Sequence, residues 1–408
     1  MTLISMALFL LIFLGACTVI CREGFFTSAA SVFGTVAALT AAFAVRVFLL
    51  DSVTDDYTNF LSVWVQYFRD NGGFAGIADI VGNYNLPYLY FLALFSYIPI
   101  DDLYLIKYLS IIFDVVLAWG IGRIVFFFTD SIARQRAAFL AAMFLPTVVL
   151  NSAWWGQCDS IFASFCVISL YHALNGRSKL SLAFAALALS FKVQAVFFLP
   201  IFGVLLLTGL VRARDVWVFP AVFVATLLPG ILLGHPIGDA LTIYLRQVDG
   251  ATGVLNYNSA SIYAFILYNY SALWLDYAEY IGIALAVGLV YTTMLWTVAR
   301  YRSTTLGTVF GFAVLLALGI PLFLPYMHER YFYLADVLTL ALAFVSPASF
   351  PACVLCLFGS LLGYYAYING VFLLPMAVGA VAMVAAFAVI CAYIHKSFVT
   401  PELDYYEE

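Results

Sequence analysis

The sequence predicts an all-α polytopic membrane protein, and three observations carry that prediction. Its 408 residues are 65% hydrophobic and only 10% charged. Mean hydropathy is +1.05, beyond what a water-soluble globular domain sustains. Apolar runs recur from end to end, and a helix crossing a bilayer needs roughly 20 such residues.

Composition narrows the functions. The net charge is −5 and no basic patch stands out, so nucleic acid is not an expected partner. The 38 Phe, 27 Tyr and 7 Trp suit lipid interfaces and sugar-binding cavities equally, so their number does not choose between the two. Most of the seven cysteines lie in apolar runs. Cys17/Cys21 and Cys353/Cys356 are spaced to share a helix face, but no histidine or second pair accompanies them, which makes them packing residues. HExxH, DxD, P-loop and Ser/His/Asp patterns are absent. No cofactor is implied, and no motif supports a divalent metal.

The elements follow in order. Residues 1–21 look like a signal peptide, but no basic stretch precedes the apolar run, so a retained first helix is expected. Short loops rich in Lys and Arg stay cytoplasmic. Here they are Arg22; Arg134 and Arg136; Arg177 and Lys179; Arg212 and Arg214; Arg300 and Arg302; and His395 with Lys396. Placing all of them inside gives about 13 spans: 3–21, 28–50, 103–128, 136–150, 158–174, 180–191, 195–211, 216–233, 278–298, 306–324, 331–346, 351–368 and 371–394. The N-terminus is then outside and the tail PELDYYEE inside. Segments 136–150 and 180–191 are short for spans, which suits helices that line a water-filled cavity. Segment 86–100 is expected to lie on or dip into the outer side; if it spans instead, the orientation of everything before Arg134 reverses. No internal repeat is visible. One integral domain, 1–408, is expected, with an extra N-terminal helix at 3–27 and C-terminal helices and tail at 347–408.

This topology puts the polar, non-basic segments on one outer face. The first is DSVTDDYTNFLSVWVQYFRDNGGF, 51–74. Phe60, Trp64, Tyr67 and Phe68 recur at helical spacing, as in a helix lying on a membrane surface. Asp56, with Asp55 behind it, is either a cap for the turn Tyr57–Phe60 or a general base for an incoming hydroxyl. The second, NYNLPYLY at 83–90, offers Asn83, Tyr84, Asn85 and Tyr88 for binding hydroxyls, or is a turn leading into an aromatic belt. The third, NSAWWGQCDSIFASF at 151–165, brings Trp155, Gln157 and Asp159. The tryptophans stack on a sugar or anchor the interface; Asp159 binds or caps.

The fourth, SFKVQAVFFLP at 190–200, carries Lys192 and Gln194. An intramembrane lysine is a functional candidate, suited to a phosphate, unless it snorkels to the interface. The fifth, LPYMHERYFY at 324–333, packs His328, Glu329 and Arg330 together between apolar runs. Arg330 can grip a phosphate with two nitrogens, His328 can donate a hydrogen bond or a proton, and Glu329 can hold Arg330 in place. The alternative is a Glu–Arg pair joining two helices. Among weaker candidates, Lys107 and Asp114 share a face of span 103–128, and Arg246, Asn256 and Asn258 lie in the loop 234–277, where they can meet an acceptor.

Taken in order, DDYTNF, NYNLPYLY, WWGQCDS, SFKVQA, NYNSASIYAF and MHERY resemble the motifs of polytopic GT-C glycosyltransferases, in particular the bacterial branch of polyprenyl-phosphate-mannose-dependent mannosyltransferases. The resemblance covers about 30–345 and makes 28–346 a GT-C-like core; the helix 3–21 precedes the family's usual first helix. It implies an integral protein of the bacterial plasma membrane with its active site on the outer face. There it would transfer a hexose, mannose foremost, with inversion from a polyprenyl-phosphate donor to a hydroxyl of a glycan, glycolipid or protein. Asp56 becomes the base, with Asp55 as fallback. Lys192, His328 and Arg330 become the phosphate grip. Gln157 and Asp159 lie near the sugar or acceptor. The alternative function is a transporter or flippase of lipid-linked sugars.

Overall fold

The computed structural model describes residues 2–251, 254–266 and 274–399. It is about 79% helical. Among the described residues, eight helices are long and apolar enough to cross a membrane: Leu3–Arg22, Ala29–Leu49, Asp102–Thr129, Ala213–Leu232, Tyr277–Ala299, Leu306–Phe323, Pro347–Asn369 and Met376–Ser397. A ninth arises if Ile132–Phe144 and Pro146–Trp155, bent by 49°, form one broken span. The bend has a local cause. Leu145 leaves the helical region at ψ 120, as a residue before proline prefers, and Pro146 opens the next turn. These helices mark the chain as an integral all-α membrane protein.

The count of about 13 is not reached by length. Asp159–Leu174, Ser178–Phe191 and Tyr333–Val345 are apolar but shorter than a span. The expected span 195–211 is broken: a 3₁₀ turn, Val193–Phe197, is followed by the short helix Ile201–Leu207. Hydropathy counts apolar runs whether they face lipid or protein. In Tyr333–Val345 every residue from Tyr333 to Ala343 is buried, and a helix apolar on all sides serves equally as core. Leu86–Phe95 is likewise too short to span. The tail 401–408, and with it the expected inner end, lies outside the described residues, as do 252–253 and 267–273 of the loop 234–277.

Contacts along the chain define two compact units. The first comprises Met1–Ser169, Leu182–Ala195 and Trp217–Gly250. Helix Asp102–Thr129 is its main strut. Phe9 of Leu3–Arg22 packs edge-on against Phe43 with centroids 5.5 Å apart, and Ser5 shares a 2.7 Å hydrogen bond with Tyr108. Arg46 is wholly buried near the end of Ala29–Leu49. Its Nε and Nη2 donate to Asp114 Oδ2 at 3.0 and 2.8 Å, and Nη1 donates to the carbonyls of Ala42 and Met143 at 3.1 and 2.8 Å. Ser152 Oγ donates to the same Asp114 oxygen at 2.6 Å. A buried charge pair needs such bonds to offset its desolvation; here they fall on Arg46 and on Asp114 Oδ2, while Asp114 Oδ1 has no hydrogen-bond partner among the described residues.

Between the strut and the chain start, the segments at 61–109 close over an apolar cluster that includes Trp64, Val65, Phe68, Ile77, Leu89, Leu92 and Ile106. Each side chain of this kind contributes roughly 1.5–3 kcal/mol when taken from water into such a core.

The second unit comprises Leu170–Ser181, Val196–Val216 and Ala251–Glu408. Ile201–Leu207, Trp274–Ala299, Tyr333–Val345 and Met376–Val399 pack against Leu306–Phe323, which is buried from Thr308 to Leu322, and Phe350–Asn369 packs against Tyr333–Val345 and Met376–Val399. Among the described residues, the expected all-α content is interrupted by a parallel pairing of Asn256–Tyr257 with Met327–His328 and an isolated bridge between Asn258 and His328.

Candidate functional site

In the first unit, the candidate residues converge. The chain leaves helix Ala29–Leu49 under the control of Lys107, whose ammonium donates to the carbonyls of Leu49, Leu50 and Ser52 at 3.1, 2.8 and 2.7 Å. A cation at a helix C-terminus satisfies orphan carbonyls and opposes the dipole. Lys107 and Asp114 therefore do not pair: one fastens this corner and the other binds Arg46.

Thr54 caps the next helical segment. Its Oγ accepts from Tyr57 N at 3.4 Å, and its carbonyl accepts from Thr58 N at 3.0 Å. Asp56 makes no capping bond to the π-helical turn Tyr57–Leu61, so the capping alternative fails. Its carboxylate instead receives Trp155 Nε1 at 2.8 Å and Gln157 Nε2 at 2.6 Å, both on Oδ2. Asp56 is partly exposed, and Asp55 is exposed beside it.

Both donors come from a second π-helical turn and its exit. Leu150–Trp155 is π-helical and ends at Gly156 with φ 77, a left-handed conformation that glycine adopts without strain. Isolated π turns collect at functional sites. This one holds Asn151, Ser152 and Trp155, with Ser152 tied to Asp114. Trp155 is wholly buried, and its carbonyl accepts from Thr54 Oγ1 at 3.3 Å. The Gln157 carbonyl accepts from Ser110 Oγ at 2.7 Å.

The Gln157 amide is the hinge of the cluster. Nε2 donates to Asp56. Oε1 accepts from Tyr84 Oη at 3.2 Å and from Lys192 Nζ at 3.4 Å. Lys192 is 5% exposed and makes a close ion pair with Asp159. Its Nζ also lies 5.6 Å from the centroid of the Tyr84 ring, a cation–π distance. Asn151 Nδ2 completes the run by donating to Asp159 Oδ2 at 2.7 Å. The result is a continuous chain: Asp56, Gln157, Lys192, Asp159, Asn151.

The other expected ligands fall around it. The Tyr84 and Tyr88 rings lie 4.8 Å apart, and Tyr88 is buried. Asn85 caps Leu86–Phe95, and its amide donates to Tyr244 Oη at 3.3 Å. Asn83 is exposed, and its carbonyl takes a bond from Gln247. Asn85 thus serves the helix start, and the only bond described for Asn83 is at its backbone carbonyl. Gln194 is buried and is not brought into the chain; among the described residues its Oε1 has no hydrogen-bond partner. Arg246 pairs with Asp239.

The second unit holds the other candidates. The ring of His328 stacks on Tyr257 at 4.4 Å and 6° and meets Tyr331 at 5.1 Å. Asn258, at φ 56, bridges to His328. Glu329 is buried, with Arg330 Nη1 3.3 Å from its Oε1 and His328 Nδ1 3.9 Å from its Oε2. Gly363 allows this approach: a Cβ there would sit 2.6 Å from the Asn258 carbonyl and 2.9 Å from Glu329 Cβ. Lys192 belongs to the first unit and His328 and Arg330 to the second.

Arg46, Thr54, Ser152 and Tyr244 also support this region, though no motif in the sequence marks them. Arg46 did carry a signal, an arginine inside an apolar span. Buried Asp336, which accepts from Ser360 Oγ at 2.8 Å and Cys356 Sγ at 3.3 Å, carried the same one. Among the described residues, no group of three or more His, Cys, Asp or Glu can hold a metal ion. No protein-family model matches the chain, and no curated protein sequence matches it.

Proposed function

We propose that this chain is an inverting membrane glycosyltransferase of the GT-C kind, which moves a hexose from a polyprenyl-phosphate donor to an acceptor hydroxyl at the outer membrane face. The observation that carries this is the Asp56 carboxylate, partly exposed yet fixed by Trp155 and Gln157. A general base needs both properties: an oriented carboxylate and access to its substrate.

In the reaction, Asp56 takes the proton of the acceptor hydroxyl. The hydroxyl oxygen forms a bond to the anomeric carbon from the side opposite the leaving group. The bond from that carbon to the phosphate oxygen breaks, and the polyprenyl phosphate leaves with the electron pair. The charge that builds on this phosphate calls for cationic hydrogen-bond donors, the role the resemblance implies for Arg330 and His328. Lys192 is 5% exposed and bound to both Asp159 and Gln157, whereas Arg330, though it meets Glu329, is 15% exposed. Lys192 is therefore better suited to holding Gln157, and through it Asp56, than to gripping an anion.

The test uses purified protein and radiolabelled polyprenyl-phosphate sugars, mannose first and then glucose, galactose and N-acetylhexosamines, with envelope glycans and lipids as acceptors. Wild type is expected to release sugar from lipid. Asp56→Asn is expected to lose about 10²–10⁴ in rate while keeping its thermal midpoint. Equal release by the two proteins would remove Asp56 from the chemistry.

A second reading, translocation of lipid-linked sugars, is favoured by one observation, the charged pair Arg46–Asp114 buried in candidate spans. The bonds that tie this pair to Ala42, Met143 and Ser152 suit a fixed brace better than a moving path. Lipid movement in vesicles without sugar release would reverse that judgement.

A further inference from the structure

A cleft of about 620 Å³ opens in the first unit, lined by Tyr57, Arg69, Tyr97, Pro99, Asp101 and Asp102 among others. Although Tyr57 belongs to the DDYTNF motif, the mechanism above does not use the cleft. Its size falls within the roughly 300–1,000 Å³ range of small-molecule sites. Tyr57 follows Asp56 directly in the chain, so the cleft adjoins the segment that presents the carboxylate.

The lining has a definite chemistry. Arg69 is paired with Asp102, so their charges offset each other. Asp101 is exposed, and its Oδ1 accepts from Leu103 N at 3.0 Å and from Tyr57 Oη at 3.5 Å. Burial, with the nearby Asp101 and Asp102 carboxylates, pushes the Tyr57 hydroxyl up to about 12, so it stays a neutral donor. Tyr97 is pinned by its hydroxyl, which donates to the Gly72 carbonyl at 2.9 Å and accepts from Phe74 N at 3.0 Å. Gly73, at φ 66, leaves room for that ring, because a Cβ there would overlap it. The wall therefore offers carboxylate acceptors, a guanidinium fork and two aromatic rings, with one net negative charge.

We propose that this cleft is a subsite for a neutral, hydroxyl-rich sugar, which under the transferase reading above is the acceptor. Carboxylates and a guanidinium accept from and donate to sugar hydroxyls, and aromatic faces cover the apolar side of the ring. The residual charge of Asp101 discriminates against acidic sugars by like-charge repulsion. Only the name acceptor rests on the transferase reading; the binding of a neutral sugar does not.

The experiment is saturation-transfer NMR on the full chain in phosphatidylcholine nanodiscs, with methyl α-mannoside and methyl β-glucoside as probes and methyl β-glucuronide as the acidic comparator. The neutral glycosides are expected to give signal, and the glucuronide to give at most a tenth of it. Asp101→Asn keeps the cap on Leu103, since its side-chain oxygen accepts the same bond. It is expected to weaken binding of the neutral glycosides roughly tenfold, as is Tyr57→Phe. Absence of signal from both neutral probes, equal binding of the glucuronide, or unchanged binding in both variants would each overturn the proposal. Failure of the transferase reading looks different: no sugar leaves any lipid donor, while the glycosides still bind.

Discussion

The carboxylate chain of the first unit and the His328–Arg330 run of the second reach a similar density of charge by opposite routes. The first is collected from segments far apart in sequence: Asp56, Tyr84, Asn151 to Asp159, and Lys192. The second is three adjacent residues. His328 ends a two-residue strand paired with Asn256–Tyr257, Glu329 and Arg330 follow in a turn, and a tyrosine face steadies the imidazole. A collected cluster depends on every helix that feeds it, whereas a local one depends mainly on its own turn and on the clearance at Gly363. Damage should therefore spread further in the first than in the second.

The largest expected effect tests that contrast directly. Lys192→Met leaves Asp159, 2% exposed at its side chain, without its cation, and should destabilise the protein by roughly 3–5 kcal/mol. Arg330, at 15%, lies nearer solvent, so Arg330→Met should destabilise less. Thermal unfolding of both variants in one detergent decides the order. The double change Lys192→Met with Asp159→Leu should recover most of the loss, because a buried pair is replaced rather than broken. Equal midpoints for wild type and Lys192→Met would mean that the pair carries no such weight.

A smaller effect sharpens the role of the π turn. Gly156 sits at φ 77, where a side chain costs about 1–2 kcal/mol. Gly156→Val should lower stability and also reduce sugar transfer, since Trp155 and Gln157 flank it. Gly156→Asn should be milder, because asparagine visits this conformation more readily. Matching losses for the two substitutions would argue against a conformational cause.

The smallest is Thr54→Ala, which removes the oxygen facing Tyr57 N and should cost about 1 kcal/mol. Thr54→Ser should restore it. If Thr54→Ala and Thr54→Ser unfold together, the cap is not at Thr54.

The sequence made the long helices legible, because Leu3–Arg22, Ala29–Leu49 and Asp102–Thr129 are apolar over lengths that only a membrane explains. It made the candidate polar residues legible for the converse reason, that charge stands out against hydrocarbon. Partnership was harder to see. Lys107 and Asp114 share a face in sequence, yet each turns to a different neighbour. Asp56 stands where a cap belongs, yet Thr54, two residues earlier, fills that role. Helix periodicity records which face a residue occupies and nothing about what the other helix brings to it. The span count suffered from the same blindness, since Tyr333–Val345 is as apolar as a lipid-facing helix and is buried in protein.

The three carbonyls held by Lys107 also bear on the bilayer itself. They fasten the end of Ala29–Leu49 to Asp102–Thr129, so at this end the two helices cannot slide past each other. A membrane thicker or thinner than their apolar length is accommodated by tilt or by distortion of the lipid. With one end clamped, the pair must tilt together and the adjustment falls at the opposite ends. The height of the Asp56 turn is thereby buffered against changes in lipid chain length.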